Sequence, residues 1–330
     1  MKLKKCAALL LVSSCLLTGC TPSSAKKVDS KYVVASLEKG NKTKNIFADN
    51  LYKDIIDNSS NNSTVFNAVL QNLVDQKFPV NDDMKEDAAT IIKQIKSAYK
   101  SNYGDNYKDS LNQALTSAGY KNLSEYRQRM IKQIQYANFL LDYIDDHFDD
   151  VFNDYYQQCA PKYVSLIKIS VSDTSSPTDD ETSKLNEVKE LISNTDKSFG
   201  DIAQDYSDDS TSSKKGSLGI VDSKDTSGIA NSYGKDVFNA IEALSEGQVS
   251  DVITGDNGYY FVKVTSTDKK TLKKELKKTD IDSPLLAYDD YLQYVVYNSY
   301  KINYKDKDIK KIVQEVVNKA LEERKDGCCS

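Results

Sequence analysis

The run Phe199-Gly200-Asp201-Ile202-Ala203-Gln204-Asp205-Tyr206-Ser207-Asp208-Asp209 decides how the middle of this chain is read. Phe199, Ile202, Ala203 and Tyr206 stand at i, i+3, i+4 and i+7, the spacing of one buried helix face. Ser207-Asp208-Asp209 ends that face with residue types that favour turns. Downstream, Gly216-Ser217-Leu218-Gly219 is a turn leading into a strand that reaches Val221, and Val237 to Leu244 has helical spacing. Leu244-Ser245-Glu246-Gly247-Gln248-Val249-Ser250 follows. Val249 to Ile253 and Tyr259 to Thr265 then read as strands flanking Asn257-Gly258, a hairpin signal. Upstream, Tyr163 to Val171 alternates as a strand. Residues 172–182 are a Ser/Thr/Asp-rich loop, and Leu185 to Ile192 is a short helix. The order strand, helices, strand, helix, hairpin predicts an α+β domain over residues 161–267.

On both sides of it the period changes. Residues 32–39 read as a short strand followed by polar Gly40-Asn41. Val65, Phe66, Val69, Leu70, Leu73 and Val74 then recur at helical spacing, and Pro79 stops that helix. Asp82-Asp83 open the next, where acidic residues suit a first turn. Leu111 to Ala118 and a long segment from Ser124 to Phe148 complete a bundle of amphipathic helices over roughly 45–160. After a Lys-rich stretch from Asp268, Leu285 to Tyr300 and Ile309 to Leu321 return to helical spacing. The tail 268–330 is small for a domain. The periodicity permits it to fold back on 32–160, which makes 161–267 an insertion. Tyr288, Tyr291, Tyr294, Tyr297 and Tyr300 recur every third residue and so wrap around a helix instead of lining one stripe. Exposed tyrosines of such a set offer apolar area with a polar tip, suited to weak contact with unfolded chains.

The pieces beginning at Phe199, Gly216, Leu244 and Gly258, with the last running Gly258-Tyr259-Tyr260-Phe261-Val262-Lys263-Val264, resemble in order and spacing the parvulin family of peptidyl-prolyl isomerases. The likeness covers about 165–266. With its helical flanks, the chain resembles the PrsA-type foldase lipoproteins and shares the helical N-domain of SurA-type chaperones. The resemblance implies a parvulin-like βαβαβ domain inserted in a helical chaperone domain, an α+β fold. It implies isomerisation of X-Pro bonds in unfolded or partly folded exported polypeptides. No metal or cofactor enters that chemistry, and monomer and homodimer are both left open. The family's acidic position falls on Asp209. Its two buried histidines fall on Lys168 and Tyr260. Leu218 and Phe238 match the apolar floor and wall of the proline pocket, while residues 222–236 depart from the pattern. Each position also has a plain structural reading: a turn cap for Asp209, a strand aromatic for Tyr260, a solvated edge for Lys168, core for Leu218 and Phe238. With both imidazoles replaced, two readings stay open: an isomerase, or a holding chaperone that has lost most catalysis.

The N-terminus carries an address. Lys2, Lys4 and Lys5 precede an apolar run from Ala7 to Leu17, too short to span a membrane. Leu17-Thr18-Gly19-Cys20 resembles the lipobox of bacterial lipoproteins, which implies cleavage after residue 19 and lipidation of Cys20. The expected mature chain has a tether over 20–31 and sits on the outer face of the cell membrane.

Composition excludes several alternatives. The 330-residue chain holds a single histidine, His147, so zinc sites of the HExxH or Cys2His2 type cannot form. His147 lies in the acidic helix end Asp145-Asp146-His147-Phe148-Asp149-Asp150 and reads as an exposed residue. Net charge is −5, falling to about −8 without the leader, which argues against a nucleic-acid partner. Beyond Cys6, Cys15 and Cys20 only Cys159, Cys328 and Cys329 remain, an odd set that makes no disulfide framework.

Overall fold

The computed structural model describes residues 27–39, 42–194, 196–277 and 281–327. The leader, Cys20, Cys328 and Cys329 lie outside them. In chain order the elements are β1 (Lys27–Val28), β2 (Lys31–Lys39), β3 (Lys42–Phe47), α1 (Ala48–Ile56), α2 (Asn62–Lys77) and α3 (Asp82–Tyr103). Then come α4 (Tyr107–Ser117), α5 (Leu123–Asp146), α6 (Phe148–Cys159), β4 (Lys162–Ser170), α7 (Asp179–Asn194) and α8 (Phe199–Tyr206). The chain continues with β5 (Ser217–Val221), α9 (Ile229–Tyr233), α10 (Lys235–Ala243), β6 (Ile253–Gly255) and β7 (Gly258–Ser266). It closes with α11 (Lys269–Leu276), α12 (Leu292–Ser299) and α13 (Lys307–Gly327). The described chain divides into two compact units, 85–289 and 27–84 together with 290–327. The divisions fall at other places than residues 161 and 267, because helices on both sides of the mixed domain share its unit.

In the unit formed by the two chain ends, β1, β2 and β3 make an antiparallel sheet. The sequence showed only β2. Lys42–Phe47 carries little apolar alternation, and its pairing with β2 makes it a strand. α2 buries Val65, Phe66, Leu70 and Val74, and α13, which packs along it, buries Ile312, Val313 and Val317. The Tyr294 ring stacks on Phe66 at 5.0 Å and Tyr297 meets it edge-on at 5.2 Å.

In the unit 85–289, Asn122 caps α5 by accepting from the Glu125 N–H at 2.9 Å. That helix buries Met130, Ile134, Phe139, Leu140 and Ile144. α6 ends at Ala160, whose left-handed φ of 42° precedes Pro161 and turns the chain into β4. His147 is exposed, with its ring stacked on Tyr143 at 4.0 Å. The segment Leu285 to Tyr300 is not one helix. A 3-10 turn at Pro284–Leu286 and an irregular stretch precede α12, and Tyr288 lies outside it, donating to Asp154 at 2.7 Å.

The mixed domain is a four-stranded antiparallel sheet in the order β5-β4-β7-β6. The second-to-last strand differs from expectation. Val249 makes only a single bridge to Lys263, and β6 begins at Ile253. Alternation along β4 sends Val164 and Leu166 to one face, where they meet Val221, Val237, Ile241 and Val262. Ile167 and Ile169 point to the other, against Val188, Phe199, Ile202 and Phe261. The start of β4 lies beside the end of β7, with Tyr163 opposite Ser266. Lys162 sends its ammonium to the carbonyls of Ile241, Glu242 and Leu244, at 2.9, 2.7 and 3.1 Å. A cation there satisfies the open C-terminal carbonyls of α10.

Candidate functional site

The site grows from the register of the central strand pair. Lys168 on β4 stands directly opposite Tyr260 on β7, so both side chains project from one face. The Lys168 ammonium lies 5.7 Å from the Tyr260 ring centre. This is the face carrying the Val164 and Leu166 cluster, which includes Tyr260 and takes Leu218, Tyr233 and Phe238 at its margin.

Asp209 reaches the same place along a loop bound to β4. After Ser198 caps α8 through the Asp201 N–H at 3.1 Å, the helix ends and Ser207-Asp208-Asp209 runs beside the strand. The Lys168 N–H donates to Ser207 Oγ at 3.0 Å, and the Asp208 N–H to the Lys168 carbonyl at 2.8 Å. The Asp208 carboxylate accepts from the Ser170 N–H at 2.9 Å and pairs with Lys184 at 2.7 Å. Alternation along this loop points Asp208 to the rim and Asp209 inward, where only 6% of it is exposed. Asp209 Oδ1 accepts from the Thr211 N–H at 2.9 Å and faces the Tyr233 hydroxyl at 3.4 Å. Beside it the Thr211 hydroxyl is buried with no hydrogen-bond partner. The sequence-predicted Asp209, Tyr260, Leu218 and Phe238 therefore lie around one apolar cluster, and Lys168 sits at its margin. Cys20 lies outside the described residues.

Tyr233 was not among the sequence candidates. It ends α9, inside the stretch 222–236 where the pattern departs and no Met or Phe stands out. Its ring meets that of Tyr260 edge-on at 6.2 Å. The available signal was chemical: a phenol, like an imidazole, pairs an aromatic body with a hydrogen-bond donor. Burial raises the Tyr233 hydroxyl above its ordinary pKa, and the charge of Asp209 adds to the shift. Burial does the same for Tyr260, again reinforced by Asp209 and then by Asp256. Both phenols therefore stay protonated at neutral pH and act as donors. Tyr260 uses its hydroxyl at the hairpin turn, donating to Asn257 Oδ1 at 2.6 Å, which leaves Tyr233 as the phenol facing Asp209.

Residues 166–266 match the rotamase family model described as a PPIC-type PPIase domain. The chain is 32% identical over 141 residues to the foldase protein PrsA of Staphylococcus epidermidis, covering 41% of each chain. It is likewise 32% identical over 141 residues to PrsA of Staphylococcus aureus. The matched segment thus spans well under half the length of these curated relatives. The crystal structure of PrsA from Bacillus subtilis aligns at a TM-score of 0.39 and 21% identity, over 85% of this chain and 97% of that one. Residues 166–266, with their four-stranded sheet and buried acidic corner, form a PPIC-type PPIase (parvulin) domain in a chain that is similar to the PrsA foldases.

Proposed function

We propose that this chain is a foldase for exported polypeptides whose parvulin domain accelerates cis-trans exchange at X-Pro bonds. The observation that carries this reading is the convergence of Asp209, Tyr233 and Tyr260 beside Leu218 and Phe238. The barrier to overcome is amide resonance, about 18–20 kcal/mol for an ordinary peptide bond. Only X-Pro bonds keep both isomers populated, and they exchange in tens of seconds or longer without help. The reaction needs no nucleophile and moves no proton. Twisting the bond removes resonance, so the carbonyl oxygen loses negative charge. An apolar wall of Leu218 and Phe238 would hold the proline ring, and a carboxylate near the carbonyl would disfavour the polar planar states more than the twisted one. Such differential stabilisation is what raises the rate. Tyr233 would orient Asp209.

A protease-coupled assay on a proline peptide tests the proposal. A clear acceleration over the uncatalysed rate is expected. Asp209→Ala should lower kcat/KM about tenfold, as removal of one transition-state contact does, and Tyr233→Phe by less. A wild-type rate equal to the uncatalysed one would refute the isomerase reading, and an unchanged rate in Asp209→Ala would refute the site. The second reading, a holding chaperone, is favoured by one observation: the Tyr260 hydroxyl is committed to Asn257 and not turned to Asp209. That reading expects suppression of client aggregation without acceleration.

The place of action belongs to the same proposal. The basic start, the apolar run and Leu17-Thr18-Gly19-Cys20 support a chain cleaved before Cys20 and anchored by lipid outside the cell membrane. Among the described residues no helix is long and apolar enough to cross a membrane. In cell fractionation, Cys20→Ser should move the protein to the medium or leave it uncleaved. Unchanged membrane fractionation of a normally processed product would sink the anchor.

A further inference from the structure

Away from the parvulin domain, α3 and the first turn of α5 border a groove of about 480 Å³. Its floor is Ala89, Ile92 and Leu123, and its rim carries Lys93, Lys96 and Arg127. No carboxylate lines it. Three lysines elsewhere in this unit are neutralised at close range: Lys184 by Asp208, Lys197 by Asp205, and Lys215 by Asp201. Among the described residues no ion pair joins Lys93, Lys96 or Arg127 to an acid, and Arg127 only reaches the Lys85 carbonyl at 3.4 Å. The positive end of α5, capped at Asn122, adds to the same potential. In a chain of net charge −5, three unneutralised cations around one apolar floor are a local reversal of sign.

We propose that this groove docks a polypeptide segment in which acidic side chains flank an aliphatic one. The charge of the rim selects carboxylates, and the floor takes the aliphatic side chain between them. A small inorganic anion would leave the floor uncovered, whereas two or three residues of an extended chain fill the volume. Three rim cations also match successive side chains of such a segment better than one point charge. The inference rests on the foldase reading and deepens it. It gives the helical part its own client chemistry, acidic-apolar and independent of proline, so a client can be held there while its X-Pro bonds are sampled elsewhere.

The test is fluorescence anisotropy of the whole chain with a short labelled peptide alternating glutamate and leucine. The same peptide with lysine for glutamate, and anionic lipid vesicles, serve as competitors. The glutamate peptide is expected to bind, the lysine peptide not. Lys93→Glu with Lys96→Glu should weaken binding about tenfold or more, and added salt should weaken it as well. Both lysines are exposed, so the double variant keeps the fold. Lys319→Glu, an exposed position on α13 that does not line the groove, should leave binding unchanged. Equal affinity in the double variant, or equal binding of the lysine peptide, would overturn the proposal. Vesicles that displace the peptide completely would assign the groove to a lipid surface instead and overturn it too. The proline assay is independent of all these outcomes, so loss of groove binding with intact isomerisation removes this inference alone.

Discussion

Asp222→Ala is expected to lower the melting temperature of the parvulin-bearing unit by roughly 10 °C, the shift that follows from losing about 4 kcal/mol in a unit of this size. Asp222 is fully buried at the end of β5. Its Oδ2 accepts from the Tyr155 hydroxyl at 2.8 Å and from the Thr226 hydroxyl. Its Oδ1 accepts from the N–H groups of Lys224 at 3.0 Å and Thr226 at 3.2 Å. Truncation leaves the fully buried Tyr155 hydroxyl without its acceptor and strips the half-buried Thr226 and the turn N–H groups of theirs, and an orphaned buried donor costs about 1–3 kcal/mol. Burial, then the charge of Asp222, holds the Tyr155 phenol far above its ordinary pKa, a sign of how little water reaches the pair. The damage should extend to the site. The turn that Asp222 organises leads to Asp225, whose carboxylate accepts from the Ile229 and Ala230 N–H groups at the start of α9. That helix delivers Tyr233. Differential scanning calorimetry measures the loss. Asp222→Asn, which keeps the shape and one acceptor, should cost clearly less. Equal melting of wild type and Asp222→Ala would show that the network contributes nothing.

Gly216→Ala is expected to be nearly as severe. Gly216 has φ 76°, and a methyl group there would lie 2.5 Å from the Leu166 carbonyl oxygen and 2.8 Å from the Ala203 side chain. The neighbour that would have to yield is backbone. Leu166 N–H donates to the Gly216 carbonyl at 2.8 Å, so the turn is tied to the central strand. The left-handed conformation costs a side chain about 1–2 kcal/mol, and overpacking about 1–3 more. Chemical denaturation should show a loss of roughly 3 kcal/mol without a large change in slope. Gly219→Ala makes the control. It has a similar φ of 84° but open space around the site, so it should cost only the backbone part. Equal losses in the two variants would mean that the Leu166 contact is not what requires glycine at 216.

The contrast between these positions and the sequence motif shows what could be read in advance. The faces of α8, β4 and β7 were legible because burial imposes a period on the chain, and the period survives in Phe199, Ile202 and Ala203 or in Val164 and Leu166. Asp209 was named by the resemblance alone, and the turn after α8 carries it to the Tyr233 hydroxyl. Tyr233 was not. It reaches the site on a five-residue helix whose place is set by the Asp222 network, including a partner on α6, and no local pattern encodes that. The tyrosine series 288–300 was visible as a repeat but not as two environments, because Tyr288 packs on Tyr155 at 5.3 Å and donates to Asp154, ahead of the helix that carries Tyr294 and Tyr297. β3 was invisible for the same reason as Tyr233: its partner, and not its composition, makes it a strand.

The pairing of Tyr163 with Ser266 has a consequence for how such a chain can be assembled. The domain's entrance and exit stand side by side on neighbouring antiparallel strands, about 5 Å apart. Cutting the domain out leaves two ends that a very short loop can rejoin, because the entropy of closing a loop grows only slowly with its length. Splicing it into another host needs only an exposed turn as the acceptor point. The covalent connection is a doorway one strand pair wide, but the body is also held from outside it, by Tyr155 on Asp222 and by Lys224 on the Tyr288 carbonyl, so a transplanted domain must do without these contacts.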